Sequence, residues 1–295
     1  MNADLTALLT DQHGVATTGQ ILATQSRKSF EEDLRTGTLQ KVWHGIYCHH
    51  DPDDWTRLRG LDLAACTRVP ACLATAAALH GFDTENPDEL HVLNPPRHQL
   101  RNADGLVIHR RDGAPLTEVH GRLATAAPWT AIEVARSLRR PRALATLDAA
   151  LRSGTCDQVE LTRALAKQAG RRGVVAVREL LPLADPRAES PMESESRLVM
   201  IDGGLPMPEL QYEIIDGNGQ LRRLDFAWPD FRVAAEYDGV DWHSGATAML
   251  ANRKRTSALM DIDWVVIPII YEDVRLRPDD LVWRIDAQLR RARAA

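Results

Sequence analysis

Apolar positions between Asp4 and Cys48 recur at helical spacing in short runs and end in a tight apolar pair of strands. Leu5, Leu8 and Leu9 form one stripe, Gly14 and Val15 break it, and a second helix carrying Ile21 and Leu22 starts from a cap at Thr17 or Thr18. A third helix, capped at Ser26 or Ser29, runs through Phe30 and Leu34 until Gly37 stops it. Leu39, Val42, Trp43, Gly45, Ile46 and Tyr47 then read as a small hairpin. Further on, the pattern predicts helices from Leu61 to Leu79 with a break at Pro70, and strands at Glu89 to Leu93 and Leu106 to His109. Helices follow from Ala131 to Leu151 and from Val159 to Leu181.

Past Pro186 and Pro191 the pattern changes. A helix from Met192 to Ile201 ends at Gly203 and Gly204, and after it come apolar runs at Glu209 to Ile215, Leu221 to Ala227 and Arg232 to Tyr237. A DGNG turn and a WPD turn separate these runs, which is the signature of a strand meander. A helix from Asp279 to Arg293 closes the chain. The expected fold is mixed α/β in three domains. Residues 1–50 form a winged helix-turn-helix, 51–186 a middle α+β connecting domain, and 187–295 a mixed sheet flanked by helices.

Composition narrows this picture rather than changing it. Of 295 residues, 44% are apolar and 26% charged, which fits a folded globular chain and excludes a disordered or fibrous one. No run reaches the roughly 18 apolar residues of a membrane helix, and the N-terminus has no basic leader, so a cytoplasmic protein without membrane contact is expected. The four cysteines Cys48, Cys66, Cys72 and Cys156 make no C-x-x-C pair, so buried free thiols are expected instead of a disulfide framework or zinc ribbon. His80, His91, His98, His109 and His120 lack the i, i+4 spacing of a helical metal pair. A net charge of -5 argues against global attraction to nucleic acid. Basic residues cluster locally, however, with ten against three acidic ones between Val134 and Arg178, and Arg284, Arg290, Arg291 and Arg293 at the end. These are candidate phosphate-facing patches.

The chemistry lies in the meander. Asp225 stands inside RRLDFAWP and Glu236 inside RVAAEYDG, each in the middle of an apolar strand. Carboxylates placed there are costly without a positive partner. A divalent ion is the simplest partner, because two strand-borne acids on adjacent strands can converge on it. Ion pairs with Arg222, Arg223 or Arg232 are the structural alternative.

Two resemblances add to this reading. The phrase Gly14, Val15, then Gly37, Leu39, Val42, Gly45 and Tyr47 makes the first fifty or so residues resemble the N-terminal domain of AbiEi-type antitoxins. The resemblance implies DNA contact through Arg27, Lys28, Arg35 and Lys41. The series SPMES, GLPMPELQ, RRLDFAWP, AAEYDGVDWH, R-x-x-x-L and DWVVI resembles the very-short-patch-repair-like endonuclease domain known as domain of unknown function 559. That family implies a PD-(D/E)XK core, a restriction-endonuclease-like mixed sheet that cuts phosphodiesters with Mg²⁺ or Mn²⁺. Position by position it implies Glu193 as the acid of the first helix, Asp225 and Glu236 as metal ligands, and His243 as general acid or base. Arg255 matches the arginine of a D-x-x-R element. Asp238 stands where many such enzymes carry a catalytic lysine and joins the metal set. Of Glu193 and Glu195 only one can face the site, and Glu193 is favoured, with Arg197 one turn on as its ion-pair partner. His243, Arg253 and Arg255 remain to stabilise charge, and Arg253 is also a nucleic-acid contact. Asn252 replaces an acid and Pro268 an arginine of the family pattern.

The expected function is therefore a metal-dependent endonuclease acting on DNA of unspecified form, in repair or defence, with a homodimer left open. The alternative is a non-catalytic DNA-binding regulator of the antitoxin type with a degenerate nuclease fold.

Overall fold

The structure, a computed structural model, describes residues 2–82, 89–110, 113–239 and 246–294, the side chains of 246–252 excepted. It divides into two compact units, Met1–Leu79 with Asn86–Ala126 and His80–Glu85 with Ala127–Ala295. The division at Ala126 and Ala127 falls inside the segment 51–186 that the sequence assigns to a middle domain.

The first unit begins with α1 (Ala3–Asp11), β1 (Val15–Thr17), α2 (Thr18–Thr24), α3 (Arg27–Arg35), β2 (Gln40–Trp43) and β3 (Ile46–Cys48). Thr17 closes a capping box with Gln20 at the start of α2, and the Ser26 hydroxyl accepts the Ser29 N–H at the start of α3. The three helices and the hairpin expected here are present. The additional strand β1 pairs antiparallel with β3, giving the sheet order β1-β3-β2. Thr17 is both the last residue of β1 and the cap of α2, so no loop marks the strand in the sequence. Leu5, Leu9, Ile21, Phe30 and Leu39 form the core. Each contributes about 1.5–3 kcal/mol by leaving water.

The unit continues with α4 (Asp54–Ala65), α5 (Leu73–Leu79), the parallel pair β4 (Leu90–Leu93) and β5 (Leu106–His109), and the antiparallel pair β6 (Leu116–Val119) and β7 (Arg122–Thr125). Helix α4 starts at an Asp53 cap, earlier than its apolar pattern suggests. Strand β6 has no buried residue, so it offers no alternation to read. Buried Arg122 donates to Asp62 Oδ1 and to the Val69 carbonyl, both at 2.9 Å, and Asp62 accepts the Val69 N–H at 2.6 Å. The buried charge is thereby paired and hydrogen-bonded.

The second unit contains α6 (Ala127–Ala135), α7 (Arg140–Arg152), α8 (Gln158–Lys167), α9 (Val174–Leu180) and α10 (Pro191–Asp202). These lead into β8 (Glu209–Ile215), β9 (Leu221–Trp228), β10 (Val233–Tyr237), α11 (Ala246–Met260), β11 (Val265–Ile269), α12 (Tyr271–Arg275) and α13 (Pro278–Ala294). The sheet order is β11-β10-β9-β8, with β8, β9 and β10 an antiparallel meander and β11 parallel to β10. Phe226, Trp228, Val233, Ala235, Ile267 and Ile269 pack on one face with residues of α10 and α13. Leu224, Ala227 and Ala234 pack on the other with Leu259 of α11.

Helix α10 is also fixed to α7. Arg197 pairs with Asp148 at 2.7 Å, with both side chains at most 2% exposed, and Arg139 and Arg142 reach Glu195 at 3.3 and 3.7 Å. The turn-rich segment around Pro186 and Pro191 is therefore a connection inside this unit. Arg197 is spent on Asp148, not on Glu193 as the helical spacing suggests.

Candidate functional site

Asp225 comes from β9, and Glu236 from β10. The pairing of these strands runs Val233 with Trp228, Ala234 with Ala227 and Ala235 with Phe226, and one step further sets Glu236 opposite Asp225. Alternation from Ala227 and Ala234 places both acids on the α11 face of the sheet. There a cleft of about 440 Å³ is lined by Asp225, Glu236, Tyr237, Asp238, Arg255, Thr256, Val266 and Pro268.

Within the cleft, Asp225 Oδ2 accepts the Tyr237 backbone N–H at 2.9 Å. Arg255 donates to both oxygens of Glu236 at 2.6 and 2.5 Å and to the Arg223 carbonyl at 2.8 Å. Asp238 is exposed at the rim, its N–H on the Ile269 carbonyl at 2.8 Å. Glu193, at the start of α10, has Oε2 held by the Glu189 N–H and by the Gln211 amide, both at 2.9 Å. Burial lifts the carboxyls of Glu193, Asp225 and Glu236 above the usual range. The field of Asp225 adds to this at Glu193, and that of Glu236 at Asp225. Arg255 offsets part of the rise at Glu236.

The arginines named as structural partners lie elsewhere. Arg222 pairs with Asp216 at 2.7 Å, Arg223 with Glu189 at 2.6 Å and Arg232 with Asp263 at 2.9 Å. Glu195 turns away from the cleft to Arg139, Arg142 and Arg275. His243 lies outside the described residues, as does the side chain of Asn252. For a hard divalent ion the donor set fits in kind, since it consists of carboxylate oxygens. It falls short in number. Among the described residues no group of three or more His, Cys, Asp or Glu side chains stands close enough to hold one ion, and both Glu236 oxygens are on Arg255.

Gln211 is the participant that sequence reasoning misses. Its φ of 53° lies in the left-handed region, where a residue other than glycine is held at a cost of about 1–3 kcal/mol. Neither the residue type nor its neighbours announce that conformation.

The expected nucleic-acid contacts divide. Arg27, Lys28, Lys41 and Arg253 are exposed, whereas Arg35, also exposed, is bound to Glu32 at 2.9 and 2.6 Å. Within the arginine-rich stretch after Val134, Arg142 is buried and Arg136 and Arg171 pair with Glu133, whereas Arg139 and Arg140 are exposed, the latter paired with exposed Asp202. Arg284 and Arg290 pair with Asp273 and Asp286. Exposed basic surface nevertheless remains at Arg163, Lys167, Arg172 and Arg178, and at Arg291 and Arg293 near the end of α13. Of the thiols, Cys66 is exposed and the other three are buried. No helix of the described residues is long and apolar enough to cross a membrane.

Residues 69–183 match the family model described as the AbiEi antitoxin C-terminal domain. The match covers most of the segment that the sequence left as a connecting domain, and not the N-terminal residues that carried the antitoxin resemblance. Two Mycobacterium tuberculosis proteins, uncharacterized protein MT2308 of strain CDC 1551 / Oshkosh and uncharacterized protein Rv2248 of strain ATCC 25618 / H37Rv, are each 53% identical over 270 residues. The alignment covers 92% of this chain and 99% of each relative. The crystal structure of the RV2827C protein from Mycobacterium tuberculosis aligns with a TM-score of 0.44 and 18% identity over 65% of this chain and 78% of that one.

Proposed function

The chain belongs to one family with the Mycobacterium tuberculosis proteins MT2308 and Rv2248, and we propose that it is a metal-dependent nuclease that hydrolyses DNA phosphodiesters at the Asp225–Glu236 cleft. One observation carries this reading. Buried Glu193 of α10 and half-buried Asp225 of β9 and Glu236 of β10 stand near one another with their carboxyls raised above the usual range, and Arg255 is paired with Glu236 in the cleft that the latter two line. An arrangement that costs the fold energy and adds no packing is a mark of function. A helix followed by a three-stranded meander, a helix and a parallel strand also supports it, because a mixed sheet flanked by helices is what the endonuclease resemblance implies.

In this reading Asp225 and Glu236 would hold Mg²⁺ or Mn²⁺, with Asp238 at the rim and Glu193 behind β9. The ion would supply an activated water and polarise the phosphate. Arg255 provides the positive charge that the motif lysine supplies elsewhere, and its guanidinium suits a phosphate as well as a carboxylate. Exposed Arg27, Lys28 and Lys41 of the N-terminal winged helix and Arg253 of α11 hold the nucleic-acid backbone.

A second reading, a non-catalytic DNA-binding regulator of the antitoxin type, is favoured by the two-pronged hold of Arg255 on Glu236 and by the antitoxin match over 69–183. Incubation of the full chain with labelled single- and double-stranded DNA and RNA, in Mg²⁺, Mn²⁺ or EDTA, separates the two. Cleavage that needs the ion and is lost in Asp225→Ala supports the nuclease. Retained DNA binding with no cleavage under any condition supports the regulator.

A further inference from the structure

The pair of strands that delivers Asp225 changes face at one rung. Leu210 packs with Phe226 on the α10 and α13 side of the sheet, while Tyr212 and Leu224 pack on the α11 side. Residues two apart on a regular strand share a face, yet 210 and 212 lie on opposite faces, and so do 224 and 226. The paired register runs Leu210 with Phe226 and Tyr212 with Leu224, so the rung where both strands turn over holds Gln211 and Asp225. Gln211 makes the turn with its φ of 53°. Its side chain is engaged as well, because the amide donates to Glu193 Oε2 at 2.9 Å.

We propose that Gln211 is a positioning residue for the acids of the site: its left-handed backbone, at the rung where the faces change, aims its amide at α10, and that amide fixes the Glu193 carboxylate beside Asp225. This rests on the nuclease reading and assigns the device that assembles its acids. Local strain that persists inside a sheet, at a rung holding a half-buried acid, needs surrounding structure to maintain it. Here the maintained conformation ties β8 to Glu193 of α10 across 18 positions of sequence. Gln211 touches no reacting atom and acts through Glu193.

The two roles separate by substitution. Gln211→Gly keeps the left-handed backbone at no steric cost and removes the amide. Gln211→Glu keeps the shape and turns the donor into an acceptor facing Glu193. Thermal melts, Mn²⁺ binding by calorimetry and DNA cleavage are measured on the full chain for both variants, wild type and Asp225→Ala. Gln211→Gly is expected to melt no lower than wild type. It is also expected to bind Mn²⁺ roughly 10- to 100-fold more weakly, or to lose kcat by that factor at unchanged KM, the usual effect of losing a residue that orients a ligand. Gln211→Glu is expected to fall at least as far. If wild type binds and cleaves and both variants match it, the positioning role is overturned while the nuclease reading stands. A wild type that neither binds Mn²⁺ nor cleaves overturns both.

Discussion

Glu193 and Glu195 sit two residues apart on α10, both at most 9% exposed, and face opposite circumstances. Glu195 meets the guanidinium groups of Arg139, Arg142 and Arg275, and Asp148, which α7 brings to the same helix, is held by Arg197. Glu193 has an amide and a backbone N–H, and its charged neighbours Glu189 and Asp225 raise its carboxyl further. The α7 side of the helix surrounds its carboxylates with cations; the cleft side places carboxylates near one another with Arg255 among them. Buried charge that is fully paired is structure. Where pairing is short, removing the charge should relieve the fold and cost only the chemistry.

The largest expected effect breaks the paired side. Arg197→Ala leaves Asp148, 0% exposed, without its cation and should cost roughly 3–5 kcal/mol by urea unfolding. Asp225→Ala should behave in the opposite way, abolishing cleavage while the melt in EDTA holds or rises; Glu236→Ala should abolish cleavage too but, by leaving Arg255 without its partner, should not raise the melt. An Asp225→Ala protein that unfolds, or an Arg197→Ala protein as stable as wild type, would reverse the assignment of the two sides.

A smaller effect sharpens the same contrast through pH. Glu193, Asp225 and Glu236 have folded pKa values above the unfolded carboxylate value of about 4. Between those limits the folded chain keeps protons that the unfolded chain has lost, so stability falls as pH rises. The penalty is absent below about 4 and complete once pH passes the raised folded values. In EDTA, the gap between Asp225→Ala and wild type should therefore widen in favour of the variant from pH 4 upward. A gap independent of pH removes the buried-charge argument for the cleft.

What could be read in advance follows from how local each cause is. The helices α2 and α3, the hairpin and the meander were legible because caps, turns and apolar spacing lie within a few residues of one another. Asp225 and Glu236 were legible as acids inside apolar strands. The partners of the charges were not, because Arg139 reaches Glu195 across 56 residues and Arg255 reaches Glu236 across 19. The boundary at Ala126 and Ala127 has no turn-rich segment to mark it, whereas the prolines near 186 mark a connection that ion pairs then close. Gln211 was illegible because neither its residue type nor its neighbours signal a φ of 53°.

The smallest expected effect carries the comparison to the surface. Helix α3 carries Arg27, Lys28 and Arg35 together with Glu31, Glu32 and Asp33, so its formal charge is balanced. Arg35 is tied to Glu32 by two hydrogen bonds, although their side chains are 73% and 56% exposed. If paired charge is structure here too, Lys28→Ala should lower the salt dependence of DNA binding by about 0.9 in slope for a lost phosphate contact. Arg35→Ala should leave that slope unchanged and weaken binding slightly, because it exposes the Glu32 charge, whose reach at physiological salt is about 8 Å. Glu32→Ala is the decisive variant. It frees Arg35 without adding a cation, so binding should tighten and the slope should steepen by at most one contact, about 0.9. Binding measured over a salt series for the three variants checks this order. An Arg35→Ala loss equal to that of Lys28→Ala shows that the exposed pair opens to DNA, and that pairing separates structure from function only where water is excluded.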